Sequence, residues 1–215
     1  MSRIHVRTHT ATAAAAAVLL AVLTGCNSSS EAAPPVLQSA SSTVTPSAAV
    51  TPSPTATTPP TPEEAAVTQA KEAVRAYFSA MDQLSANTTA DTAVLKNVAV
   101  STGLIDAQNQ ISFGRGEDQR QIGDTRIASI QPKSVDLTMD LKRRPAPKVP
   151  VVQLNVCYDV SAVNVVDSTG KSVVTAGRRD QALAILGMTN YDYPNPTGWK
   201  VGYQTIKGDP CPASP

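Results

Sequence analysis

Histidine is nearly absent from this chain. His5 and His9 are the only two, and both precede Cys26. If the chain is cut before that cysteine, no histidine remains for Ser-His-Asp or Cys-His catalysis, for a general base near neutral pH, or for the commonest zinc ligation. Cysteine is scarce, with three residues and no C-x-x-C spacing, which argues against thiol redox chemistry. An excess of one charge is also missing. The chain has 18 basic and 17 acidic residues, and loss of Arg3 and Arg7 with a leader leaves 16 against 17, a net charge of −1. That balance gives no electrostatic case for nucleic acid. Phosphate loops are lacking as well. "FGRGE" at 113–117 has no strand-to-helix context, and "DSTGK" at 167–171 lacks the earlier glycine and sits between β-patterned runs. No motif calls for a cofactor or a metal.

What is present begins with the apolar stretch "ATAAAAAVLLAVL", residues 11–23. Its 13 residues fall short of the roughly 20 that span a bilayer but suit a signal-peptide core. Arg3 and Arg7 make a basic start, and the chain turns polar immediately after Cys26, with "NSSSEAAPP". Leu23-Thr24-Gly25-Cys26 resembles the bacterial lipobox. The resemblance implies a signal peptide at 1–25, cleavage before Cys26, and diacylglycerol on its sulfur. Two or three acyl chains at ~0.8 kcal/mol per buried CH₂ anchor firmly. The implied location is the extracytoplasmic face of the cell membrane, with the bilayer as a partner through the lipid. The plainer reading is a secretory signal with an incidental cysteine at its end.

Residues 26–62 comprise that cysteine and a Ser/Thr/Pro-rich segment with one charge and no aromatic residue. Such a composition does not bury enough apolar surface to offset its ordering entropy, so the segment reads as a disordered tether. Its 36 residues after Cys26 span roughly 30–36 Å as a flexible coil.

Residues 63–215 carry every aromatic residue and suit one domain with one core. Thr61-Pro62-Glu63-Glu64 is a helix start with a capping box. Val67, Ala70, Val74, Tyr77, Phe78, Met81 and Leu84 then form one apolar stripe. A shorter helix is expected around Val94, Leu95 and Val98, and a loop with at most one short helix over 101–121. From Ile122 the period changes to two. Strands are expected over 122–130, 135–141, 152–160, 181–191 and 199–205, with a hairpin turn at Gly170 and a loop at "KRRPAPKVP". Helices followed by hairpin-linked strands mean α+β, a long helix and a short one on a curved antiparallel sheet of about four to six strands. The amphipathic helix 63–84 and the closing "GWKVGYQT" strand resemble the nuclear transport factor 2-like fold, a cone of sheet wrapped round an N-terminal helix. The resemblance implies a cone that in some relatives holds a pocket, with isomerases, hydratases and members without chemistry among them.

Cys157 and Cys211 remain once Cys26 is assigned, and export permits a disulfide between them, closing a loop of 54 residues. Two free thiols are the alternative. Cys157 falls on the strand face opposite Val156 and Tyr158, which is read as turned away from the main core. Tyr77, Asp82, Tyr158 and Trp199 are the candidates for a cone lining, where a carboxylate and a tyrosine could do proton chemistry without histidine. Each also has a plain role: Tyr77, Tyr158 and Trp199 as core rings, Asp82 as a solvated helix position. Lys142, Arg143, Arg144 and Lys148 form a basic loop that suits an anionic partner, such as a lipid headgroup, a wall polymer or an acidic protein patch. The plain reading of that loop is a solvated hairpin that discourages edge pairing.

The leading expectation is a non-enzymatic, surface-tethered binding or scaffold module of the envelope, with an envelope protein or wall polymer as partner. The alternatives are a small-molecule carrier or sensor using the cone pocket, a cone-type isomerase or hydratase, and a prophage-encoded lipoprotein that blocks infection by related phages.

Overall fold

The computed structural model describes residues 59–207 and Cys211. The expected signal peptide at 1–25, Cys26 and the expected tether up to residue 58 lie outside the described residues. Among the described residues the fold is α+β, with three α-helices and two antiparallel sheets.

Helix α1 runs Pro62–Ala86. Thr61 caps it reciprocally: its Oγ accepts the Glu64 N–H at 3.2 Å, and a Glu64 carboxylate oxygen accepts the Thr61 N–H at 2.8 Å. The buried face is Ala66, Ala70, Val74, Tyr77, Met81 and Leu84, with Val67 and Phe78 partly buried beside it. At the other end Arg115 closes the helix from outside. One guanidinium nitrogen reaches the carbonyls of Leu84, Asn87 and Ala90 at 3.5, 3.3 and 2.8 Å, a cation at the negative end of the helix dipole.

A short α2, Leu95–Val98, buries Leu95 and leaves Val94 half-exposed. Residues 101–121 hold a longer helix than the loop with one short helix that the pattern allows. Helix α3 spans Ser101–Gly116. Its buried face is made of Gly103, Ala107 and Ile111, while Ile105 and Phe113 point to solvent, so no apolar stripe appears in the sequence. Gly103 is required by contact: a Cβ there would lie 2.5 Å from the Val201 carbonyl oxygen. The Val100 N–H bonds that same oxygen at 2.9 Å, and the Thr102 hydroxyl bonds the Gly202 carbonyl at 3.0 Å. The start of α3 is thereby stitched to the neighbouring strand edge.

The strands are β1 Arg120–Ile122, β2 Arg126–Asp136, β3 Val151–Asp159, β4 Asn164–Val166, β5 Gln181–Asn190 and β6 Trp199–Lys207. The main sheet has the order β2-β3-β5-β6, and β1 pairs with β4 in a separate ribbon. The expected strand at 122–130 is thus divided, with Gly123 at φ +82 between β1 and β2. The alternation over 135–141 also misleads. The ladder of β2 stops at Asp136, and Met139 and Leu141 are exposed in the loop beyond it. Val152, Leu154, Val156, Ala184, Leu186, Met188, Trp199 and Val201 turn one sheet face toward α1 and α3 and complete the core.

The last strand changes face partway. Met188 pairs with Val201 and Gly187 with Tyr203, so Gly202 is an extra residue in β6. Before it Trp199 and Val201 face the core; after it Gln204 and Ile206 lie on the side of Leu186 and Ala184. Tyr203, expected on the face of Trp199, lies instead across the opposite face. Its ring occupies the space a Cβ on Gly187 would need, and its hydroxyl accepts from Gln153 Nε2 at 2.8 Å. On that face Cys157 meets Cys211 at disulfide distance, with Cα atoms 5.5 Å apart.

Candidate functional site

Three of the four candidate lining residues converge. Tyr77 and Asp82 from α1 and Tyr158 from β3 border one cavity of about 160 Å³, together with Phe78, Gln121 and Gln204. It lies between the second half of α1 and the far ends of β3 and β6. Its apolar wall is a run of rings: Tyr77 and Phe78 stand edge to face at 5.7 Å, and Phe78 meets Tyr158 at 5.4 Å. The Tyr77 hydroxyl donates to Gln204 Oε1 at 3.4 Å. Burial pushes the Tyr77 phenol up to about 12, helped by the negative charge of Asp106 and by Tyr158, and burial also raises Tyr158. Both phenols are therefore neutral donors near neutral pH.

Asp82 is not the solvated position the helix pattern suggests. It is buried, and its carboxylate accepts three hydrogen bonds: Gln121 Nε2 at 2.7 Å, the Thr125 N–H at 2.9 Å and the Thr125 hydroxyl at 2.8 Å. Gln121 in turn donates to the Gly123 carbonyl at 2.9 Å. The carboxylate thus ties α1 to the β1–β2 turn. A general base needs a free lone pair aimed at substrate, and here both acceptor positions of Oδ1 and one of Oδ2 are taken by the fold.

Trp199 is not part of this cavity. It sits at the opposite end of the core, where its Nε1 donates to Gln69 Oε1 at 3.1 Å and its ring packs edge-on to Tyr193 at 6.3 Å. It borders a separate depression of about 240 Å³ with Gln69, Ala73 and Val98. Gln121, Thr125 and Gln204 escaped the sequence reading. Gln204 is hidden by the phase change at Gly202, and a glycine inside a strand is the signal that marks such a site.

The basic loop is not one cluster. Lys148 Nζ bonds Asp136 Oδ2 at 2.9 Å across the hairpin, and hydrogen bonds from Lys148 first, then Thr138, hold the Asp136 carboxyl down at about 2. The Arg144 guanidinium folds onto the carbonyls of Lys142 and Arg143, both at 3.2 Å, yet stays exposed. The side chains of Lys142 and Arg143 have no partner among the described residues. Asp159, near the other end of β3, is buried and held well below the usual carboxylate range by Ser161 first, then Arg126, which bonds it at 2.8 Å, and Gln181.

Among the described residues no three His, Cys, Asp or Glu side chains converge, and no helix is long and apolar enough to cross a membrane. No family model matches the chain, and no curated protein matches it. Among solved structures, the intermembrane space region of the chloroplast protein ARC6 superimposes with a TM-score of 0.45 at 10% identity, over 65% of this chain and 95% of that one.

Proposed function

We propose that this chain is an extracytoplasmic lipoprotein moored by Cys26, in which residues 27–62 are a spacer and the following domain is a non-enzymatic binding or scaffold module of the cell envelope. The domain is read as a cone of the nuclear transport factor 2-like kind, its cavity closed largely by its own rings. The observation that supports the non-enzymatic part is the engagement of Asp82 by Gln121 and Thr125, two bonds to Oδ1 and one to Oδ2. Among the described residues it is the only carboxylate bordering the cavity with the tyrosines, and it helps hold the fold. The extracytoplasmic part draws on the lipobox and on the pairing of Cys157 with Cys211, which suits an oxidising compartment.

A carrier of drug-sized molecules has less support. Such pockets run to about 300–1,000 Å³; the ring-lined cavity holds about 160 Å³, and a space of about 570 Å³, which reaches that size range, shares only Phe78, Asp82 and Thr125 with it and none of the tyrosines.

Chemical crosslinking in intact cells tests the module. The expected result is a discrete adduct with one envelope component, lost when Cys26→Ser releases the domain from the membrane. A chain that crosslinks to nothing but itself contradicts the reading.

A further inference from the structure

The two ends of the domain differ in chemistry. At one end meet the start of α1, the 137–150 loop and the 191–198 turn. Trp199 bonds Gln69 in the second turn of α1, the Asn190 N–H bonds the Pro150 carbonyl at 3.2 Å, and the pairs Asp136/Val151, Val151/Thr189 and Asn190/Trp199 carry that level across the sheet. The chain enters the domain here, at Pro62. The ring-lined cavity and the Cys157–Cys211 pair lie toward the other end, beside Tyr158 and Asp159.

The entry end exposes three large apolar side chains: Met139 at 37%, Leu141 at 54% and Tyr191 at 49%. Lys142, Arg143 and Arg144 are exposed directly beside Leu141. Glu63 and Glu64 are exposed in the first turn of α1 at this end, and the acids nearer the hairpin are engaged within the fold. Asp136 pairs with Lys148, Asp140 accepts the N–H groups of Lys142 and Arg143 at 3.0 and 3.1 Å, and Asp192 accepts from Asn195 at 2.7 Å. Between residues 136 and 149 four cations stand against two acids, and one of the four, Lys148, is paired with Asp136. A soluble polyanion or an acidic protein patch would need the cations alone. Met139 and Leu141 adjoining those cations in the loop, with Tyr191 exposed at the same end of the sheet, fit a surface that is negative outside and apolar beneath.

We infer that the 137–148 hairpin tip, with Tyr191 at the same end of the sheet, docks on an anionic lipid bilayer as a second membrane contact in addition to the Cys26 anchor. The inference rests on the proposed anchor for its direction. Chain entry and hairpin share one end, so docking turns the cavity and the cysteine pair away from the membrane, toward a partner in the envelope.

The test uses the full protein extracted from membranes and reconstituted into vesicles of equal phosphatidylglycerol and phosphatidylcholine, or of phosphatidylcholine alone. Hydrogen exchange of 137–148 is compared with that of 181–190 as an internal reference. Each cation near an anionic surface counts for about fivefold, so the hairpin should exchange at least tenfold more slowly on anionic vesicles, with 181–190 unchanged. Lys142→Ser, Arg143→Ser and Arg144→Ser together should keep the melting temperature and lose the protection. Met139→Ser with Leu141→Ser should lose part of it with the cations intact. Equal exchange on the two vesicle types overturns the inference, and the unaltered protein alone suffices for that comparison. Protection reproduced by soluble polyphosphate without vesicles overturns the bilayer as the partner. The intact mass of the same sample reports the lipid on Cys26 separately. A chain without lipid that still shows hairpin protection on added anionic vesicles removes the anchor and keeps the docking surface.

Discussion

The carboxylate of Asp82 is bound twice by Thr125, through Oδ2 to the backbone N–H at 2.9 Å and through Oδ1 to the hydroxyl at 2.8 Å. With Gln121 as third donor, the contact fastens the second half of α1 to the turn that starts β2. Asp82→Ala leaves these donors without an acceptor in a buried place, a loss of about 1–3 kcal/mol. At roughly 2–4 °C per kcal/mol for a domain of this size, thermal unfolding should fall by several degrees. Thr125→Val, which keeps the backbone donor, should fall less. An unchanged melting temperature for Asp82→Ala would show that the carboxylate is not a structural tie.

Two glycines of α3 make a matched pair. Alanine is favoured over glycine in a helix by about 1 kcal/mol, and nothing lies within 4 Å of a Cβ placed at Gly114. Gly114→Ala should therefore stabilise by a few tenths to about 1 kcal/mol. At Gly103 the same Cβ would meet the Val201 carbonyl oxygen at 2.5 Å. The clash exceeds the helical gain, and Gly103→Ala should destabilise by about 1–3 kcal/mol as α3 is pushed off β6. Chemical denaturation of the two variants checks the opposite signs.

Stability should fall at both extremes of pH. The Asp136 carboxyl titrates near 2 in the folded chain against 3.8 for the free group. The unfolded state binds more protons between those values, so this contribution is present above about pH 4 and is lost as pH falls toward 2. Asp159, also depressed, acts in the same direction. Tyr77 moves the opposite way, from 10.0 to about 12. The folded chain retains a proton that the unfolded chain releases, so stability is lost as pH rises from 10 to 12. Lys148→Gln should flatten the acid limb and Tyr77→Phe the alkaline limb of melting temperature against pH. Limbs unaltered by these changes would contradict the assignment.

Joining Cys157 to Cys211 closes a loop of 54 residues. The chain-entropy estimate for that loop is roughly 4 kcal/mol. Reduction, or Cys211→Ser, should lower the melting temperature markedly, and trypsin should then release the C-terminal segment first. A melting temperature indifferent to reductant would mean that the two sulfurs are not joined in the folded chain.

The sequence makes α1 legible because its signals are local, a reciprocal cap followed by a stripe at helical spacing. The same rule hides α3, where small residues face the core and Ile105 and Phe113 face water. Alternation identifies β3, and a run apolar on both faces identifies β5, but alternation overruns β2, because Met139 and Leu141 keep the period where no ladder continues. It loses phase in β6 at Gly202, so Tyr203 is assigned to the wrong face and Gln204 is missed. Tyr77, Asp82 and Tyr158 come together because each lies at the same end of its element. Trp199 opens its strand at the other end, a separation that residue spacing does not encode. The partners of Asp82 depend on how a three-residue turn at 123–125 folds back on α1, which no periodicity describes.

The central claim is a lipid-moored domain outside the cytoplasm, and the intact mass of the protein extracted from membranes tests it most directly. The expected mass is that of a chain beginning at Cys26 and carrying diacylglycerol on its sulfur. An unmodified chain, whether cleaved and soluble or still bearing residues 1–25, would contradict it.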